Sequence, residues 1–342
     1  MISFTNDYSE GACPEILQAL EKTNYTQLPG YGTDEITASA ISKIRKETGC
    51  PEASVHFLTG GTQANQVVID SLLKNYEGVV AAETGHVALH EAGAIEFTGH
   101  KVLTLPQSEG KIDAGNLETF LRRFYDDPSH DHMVFPGMVY ISFPTEYGTL
   151  YSEKELYSVY SVCRQYSMPL YIDGARLGYG LASEANDLTL SRIARLCDVF
   201  TIGGTKVGAL CGEAVVFPSG KAPAHFMTTV KQHGALLAKG RLNAIQFDTL
   251  FTDGLYYRLS EHAVRMAGEL KRIFKEKGIR QFIESPTNQQ FVILSKEAMA
   301  SLEGKVAVEI WQPYDAGSTV VRFATSWATR EEDVAALRGL LP

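Results

Sequence analysis

"ASVHFLTGGTQANQVVIDSLLKNYEGVVAAE", residues 53–83, decides the fold. "ASVHFL" (53–58) is short and largely apolar, the signature of a buried strand. "TQANQVVIDSLLKN" (62–75) spaces its apolar residues at helical intervals, and "GVVAAE" (78–83) is apolar on both faces. Strand, helix and strand in this order form a βαβ unit, which implies a parallel sheet with helices on both sides.

The same alternation extends along the chain. "KVLTL" (101–105), "MVYISF" (138–143), "PLYID" (169–173), "VFTIGG" (199–204) and "AVVF" (214–217) read as strands. "GNLETFLRRFY" (115–125) and "EKELYSVYSVCRQY" (153–166) read as helices. After about residue 242 the texture changes. A single long helical pattern (241–278) is followed by strand-like "QQFVIL" (289–294), "VAVEIW" (306–311) and "TVVRFAT" (319–325), then a helix near 330–341. The expected architecture is α/β. A large domain, 1–242, carries the mostly parallel sheet and an N-terminal arm, and a small α+β domain spans 243–342.

The 342 residues carry a net charge of -9, which argues against a nucleic-acid-binding face. No apolar run reaches the length of a membrane span. The opening "MISFTNDYSEGACPEIL" lacks a signal-peptide layout, and the five cysteines show no CxxC spacing. A cytoplasmic protein without disulfides or structural zinc is expected.

In parallel α/β sheets ligands gather at the carboxyl ends of strands. Four polar clusters stand there. Gly60, Gly61 and Thr62 in "TGGTQAN" offer backbone N–H groups at a helix start, an anion site; the alternative is a tight turn with Thr62 as N-cap. "TGHVALHEAG" holds His86 and His90, which suit a helix face or, for His86, stacking on a planar ring. The HExxH order and a third ligand are absent, so no metal is expected. Asp173 ends "YID", with Arg176 three residues on. They either pair with each other or serve a cofactor ring nitrogen and an anionic substrate group respectively. Lys206 in "TIGGTKVGAL" sits among small and apolar residues, where desolvation frees an amine for attack on an aldehyde. Gly203, Gly204 and Gly208 around it are expected to admit a planar group. Together the four clusters fit pyridoxal phosphate. A nucleotide-dependent oxidoreductase is weakened by the missing GxGxxG. A protein that keeps the fold without the chemistry is weakened by Lys206 and Asp173.

The sequence resembles the threonine aldolase and β-eliminating lyase family of fold-type-I pyridoxal phosphate enzymes. "SFTNDYSEGACPEILQAL", "GYGTDEIT", "TGGTQAN", "HVALHEAGA", "PTEYGTLYS", "YIDGARLGYG", "TIGGTKVGAL" and "VVRFATSW" carry the resemblance, in that order, over almost the whole chain. It implies a Schiff-base role for Lys206, a pyridinium partner in Asp173, a stacking His86 and a phosphate cup of Gly60, Gly61 and Thr62. It also implies that Arg322, with Arg176 nearby, holds the substrate carboxylate, and that Asn6 stands where relatives often have a serine touching it. Tyr31 lies in a loop that, in relatives, reaches the neighbouring subunit's site. "KQHGALLAKGR" (231–241) matches a segment that sends a cation to the partner's phosphate, with Lys239 and Arg241 as candidates. Where the better-studied branch has a histidine on the substrate hydroxyl, Glu146 stands here. The resemblance thus implies retro-aldol cleavage of a β-hydroxy-α-amino acid to glycine and an aldehyde, in a homodimer or homotetramer. Elimination, racemisation and transamination share the same cofactor residues.

Overall fold

A computed structural model describes residues 1–342. Its centre is a seven-stranded sheet in the order Ser54–Leu58, Glu213–Phe217, Val199–Gly203, Leu170–Asp173, Phe135–Ser142, Glu77–Ala82, Val102–Leu105. Only Glu213–Phe217 runs against its neighbours. The side-chain period of two sorts the strands cleanly between two cores. Val80, Ala82, Val139, Ile141, Leu170, Ile172, Phe200 and Ile202 face one side. Val79, Ala81, Met138, Tyr140, Tyr171 and Val199 face the other. Helix Gly61–Leu72 covers that second face through Ala64, Val67 and Val68, which explains why these strands read as apolar throughout.

The C-terminal part differs from expectation in two places. The pattern 241–278 is two helices, Arg241–Leu250 and Leu255–Glu276. Asp253 (φ 49°) and Gly254 (φ 70°) adopt left-handed backbone between them, a conformation that stops a helix and that glycine favours. "VAVEIW" is also divided. Val306–Ala307 pairs in parallel with the N-terminal Ile2–Ser3, while Glu309–Pro313 joins a four-stranded antiparallel sheet. That sheet has the order Gln281–Ile283, Gln289–Ser295, Ser318–Ala324, Glu309–Pro313.

Ala244, Phe247, Leu255 and Ala263 pack into the large core, whereas Met266, Leu270 and Phe274 pack into a separate core against the small sheet. Phe4 belongs to that second core, so the N-terminal arm lies on the C-terminal sheet. No helix is long and apolar enough to cross a membrane.

Candidate active site

The strands that share a direction end together at Leu58, Ala82, Ser142, Asp173 and Gly203, and the reversed strand begins there with Glu213. The cleft at this edge is lined by Gly61, Asn65, His86, Glu146, Asp173 and Lys206. A second opening continues from it past Tyr8, His90, Glu309, Trp311 and Arg322.

Asp173 sits two residues after Tyr171 and therefore on the same face of the sheet, the one helix Gly61–Leu72 covers. Its Oδ2 accepts hydrogen bonds from the Tyr140 hydroxyl (2.7 Å) and Asn65 Nδ2 (3.0 Å), and its Oδ1 from the Ala175 N–H (2.9 Å). Burial pushes the carboxyl up, but the His86 charge and these bonds outweigh it and hold the pKa below the usual value. Asp173 is therefore held as an anion by hydrogen bonds and the nearby His86, with no direct ion pair in the chain. The alternative of a simple Asp173–Arg176 pair is not realised, because Arg176 turns to Asp7.

The same network reaches His86. The Tyr171 hydroxyl donates to Asn65 Oδ1 (2.6 Å), Asn65 Nδ2 donates to Glu91 Oε1 (2.6 Å), and that oxygen lies 2.8 Å from His86 Nδ1. With Nδ1 held, Nε2 is the ring nitrogen left for a ligand. His86 opens the short helix His86–Leu89, and His90 follows its end with a ring-to-ring distance of 5.7 Å. Glu146 Oε1 accepts from the His86 N–H (2.8 Å) and the Ser142 hydroxyl (2.6 Å). Its Oε2 has no hydrogen-bond partner in the chain, and burial raises its pKa against the opposing Ser142 bond.

Lys206 follows the strand Val199–Gly203 in a loop pinned by the Gly204 and Thr205 N–H groups, both donating to the Gly212 carbonyl (2.9 and 3.2 Å). The Tyr179 hydroxyl donates to the Lys206 carbonyl. The amine forms no ion pair; the Tyr8 ring lies 6.0 Å away. Burial first, then the Arg176 charge, lower its pKa, opposed by Asp7, Glu213 and Asp173. Glu213 is buried beside this loop, and burial, aided by Asp173 and opposed by Lys206, pushes its carboxyl up to about 8.

The expected role of Gly203, Gly204 and Gly208 is corrected. An added Cβ there would strike Ala175 backbone, Phe247 or Leu259, so protein atoms take up that room. The open cradle is elsewhere: at Gly60 and Gly61 an added Cβ meets nothing within 4 Å. Gly60, not Thr62, is the N-cap of helix Gly61–Leu72, and no side chain caps it. The first intrahelical donor is the Ala64 N–H, leaving the earlier amides available to an anion.

Arg176 lines the cleft, but its Nε and Nη2 are committed to Asp7 Oδ2 and Oδ1 (2.6 and 2.9 Å). Its expected hold on the substrate carboxylate is thus reduced to Nη1. Burial pushes the Asp7 carboxyl up, yet Arg176 and an Asn288 bond (2.9 Å) hold it below its usual value. A lowered carboxyl pKa contributes stability above the unfolded value near 4 that is lost as pH falls through the folded one. Asp7→Asn is expected to cost about 3–5 kcal/mol, since it strands a buried guanidinium. Urea unfolding of both proteins at pH 7 and in mild acid checks this; equal stability at pH 7 contradicts it.

Arg322 differs from Arg176 in that its guanidinium is spread over three partners and is not locked in a two-point pair with one fully buried carboxylate. Nη1 donates to Gln289 Oε1 (2.9 Å), Nη2 to the Thr5 carbonyl (3.2 Å) and to Glu309, and the buried Nε has no partner. Asn6 is not brought to the cleft; its Oδ1 accepts from the Tyr8 N–H (3.0 Å) and Ser9 hydroxyl (2.9 Å). Tyr31 lies in a separate groove with Gly240 and Asn243. Lys239 is exposed, and Arg241 donates to the Thr23 carbonyl (2.8 Å). Within one chain none of these three reaches Lys206. Sequence reasoning missed Tyr8, Asn65, Glu91, Tyr140, Glu213 and Glu309. Of these, Tyr8, Asn65 and Glu91 lay within quoted motifs and Tyr140 and Glu309 within quoted strands; the available signal was a polar residue on a buried face, as with Asn65 beside Ala64 and Val68 on its helix.

An amine without an ion-pair partner, an anionic Asp173, a helix start with open amides and a fixed imidazole around one cleft fit an aromatic aldehyde that carries a phosphate and a basic ring nitrogen.

Comparison with known proteins places the chain in a family. A low specificity L-threonine aldolase from a Pseudomonas strain is 33% identical over 97% of this chain and 94% of its own length. Its counterpart from Pseudomonas aeruginosa is 31% identical with the same coverage. Among solved structures, Leishmania major threonine aldolase matches with a TM-score of 0.96 and 40% identity, over 99% of this chain and 98% of that one. Thermus thermophilus aspartate aminotransferase, at 15% identity and a TM-score of 0.71, shares the fold, which is fold type I. The family model described as beta-eliminating lyase matches residues 6–297, and this protein belongs to that family.

Proposed function

We propose that the protein is a pyridoxal phosphate-dependent carbon–carbon lyase. It cleaves a β-hydroxy-α-amino acid, of the threonine, allo-threonine or phenylserine type, to glycine and an aldehyde. The observation that carries this is the unpaired Lys206 amine in one cleft with the anionic, hydrogen-bonded Asp173. The threonine aldolase names of the relatives support the choice of reaction.

When bound, the cofactor supplies an aldehyde that captures amines and a protonated ring that accepts the electron pair left by bond cleavage. Lys206 holds that aldehyde. Asp173 keeps the ring nitrogen protonated, and His86, fixed by Glu91, covers the ring. Gly60, Gly61 and Thr62 bind the phosphate through helix-start amides. Arg322 anchors the α-carboxylate, with Arg176 Nη1 beside it, and so sets which bond at Cα is aligned for cleavage. Glu146 takes the β-hydroxyl proton at Oε2. Its raised pKa makes it a stronger base than an exposed carboxylate, and its position is fixed through Oε1. Cα–Cβ then breaks and the aldehyde leaves; Cα takes a proton from solvent to give glycine, and Glu146 passes the hydroxyl proton back to solvent, so no net proton is gained or lost.

Glu146→Gln is expected to lower kcat for L-threonine by about 10²-fold or more. A kcat within threefold of wild type moves the base to His86 Nε2.

Tyr31, Lys239 and Arg241 are assigned to a site completed by a second copy of the chain, so the working form is a homodimer or homotetramer. The chain divides into a cofactor-binding part and a smaller C-terminal part; the expected limit near residue 242 moves into helix Leu255–Glu276, whose Leu255 and Ala263 still pack in the large core while Met266 and Leu270 pack in the small one, and the compartment is the cytoplasm. Borohydride reduction of the yellow holoenzyme tests the central claim. A cofactor-bearing peptide centred on Lys206 supports it; label on another lysine overturns it. Product analysis separates the rival reactions: glycine with aldehyde indicates the aldolase, a keto acid with ammonia indicates elimination.

A further inference from the structure

Arg322 and Glu309 face each other on neighbouring strands, Ser318–Ala324 and Glu309–Pro313, as direct register partners. Their ion pair closes over the second opening of the cleft, which both residues line together with Lys206 and Trp311. The two sides differ in freedom. The Arg322 side chain is only 9% exposed, and Gln289 and the Thr5 carbonyl hold its guanidinium without help from Glu309. The Trp311 ring, 5.6 Å from the guanidinium carbon, flanks it further. The Glu309 side chain is 40% exposed, and Arg322 is its one ion-pair partner. A carboxylate on a short tether thus sits on the guanidinium that the proposed function gives to the substrate's carboxylate. Both are the same chemical group seeking the same donors, and two carboxylates on one partly buried arginine repel each other.

We infer that Glu309 is a resident competitor for Arg322, which an entering α-carboxylate displaces and which returns as glycine departs. This rests on the reading of Arg322 as the carboxylate anchor. Glu309 then acts as a positioning residue that tunes affinity. It keeps the anchor paired when no amino acid is bound and weakens ground-state binding of substrate and product alike.

The test uses the holoenzyme. Glycine is titrated against the visible absorption of wild type, Glu309→Gln and Glu309→Ala, and KM for L-threonine is measured in parallel. Release of a half-exposed pair is expected to tighten glycine binding about two- to fivefold and to lower KM by a similar factor, with the change carried by KM rather than kcat. The gain should vanish when Arg322→Gln is combined with either variant, as a double-mutant cycle requires of a direct competitor. If Glu309 merely holds Arg322 in place, both constants rise instead. Constants that are unchanged or higher in a wild-type-like fold overturn the inference while leaving the aldolase reading intact. A wild type whose spectrum responds to neither glycine nor any β-hydroxy amino acid overturns the aldolase reading, and the inference with it.

Discussion

Lys206→Ala is expected to lose turnover by roughly 10⁴-fold or more, the largest effect of any single substitution in the cleft. The expectation follows from isolation. The amine has no carboxylate within ion-pair distance, while burial and Arg176 together depress its pKa and so increase the neutral, nucleophilic fraction. The surrounding loop is held by backbone bonds of Gly204, Thr205 and Gly212 and by the Tyr179 hydroxyl on the Lys206 carbonyl. None of these uses the Lys206 side chain, so the variant is expected to fold. Its purified form should lack the reducible visible band. Turnover near wild type in a folded Lys206→Ala protein would remove the lysine from the mechanism.

The second large effect is expected at Asp173. Asp173→Ala removes the acceptor of the Tyr140 hydroxyl, of Asn65 Nδ2 and of the Ala175 N–H, and with it the anion proposed to face the ring nitrogen. Loss of an oriented charge from a dry site costs on the order of 10²–10³ in rate. Cofactor retention on dialysis should fall as well. Measuring both separates two roles: a rate loss with cofactor affinity unchanged places Asp173 in the transition state alone. If neither rate nor affinity changes, Asp173 does not face the ring.

Much of the sheet was legible because its signals are local. The strand centres 79–82 and 138–141 are apolar on both faces, and the helices between the strands repeat at 3.6 residues. Places where expectation and structure part have local causes too. The break at Asp253 and Gly254 carried its own sequence mark, but the helical periodicity on either side masked it. The division of "VAVEIW" had no local mark, since its first half is a strand only because Ile2–Ser3 pairs with it.

The site divides in the same way. The sequence by itself determined which residue types stand at the strand exits: Gly60 and Gly61, His86, Asp173 and Lys206. Each lies within a few residues of the strand that positions it. What each side chain bonds to was decided only in three dimensions. Arg176 pairs with Asp7 across 169 positions instead of with Asp173 three residues away. Asn65 reaches Asp173 across 108 positions, and Arg322 is shared among Thr5, Gln289 and Glu309. Local periodicity reports which face a residue occupies, because that follows from backbone geometry. Hydrogen-bond and ion-pair partners follow from which segments the packed cores bring within 3 Å, and that distance is set by the whole chain at once.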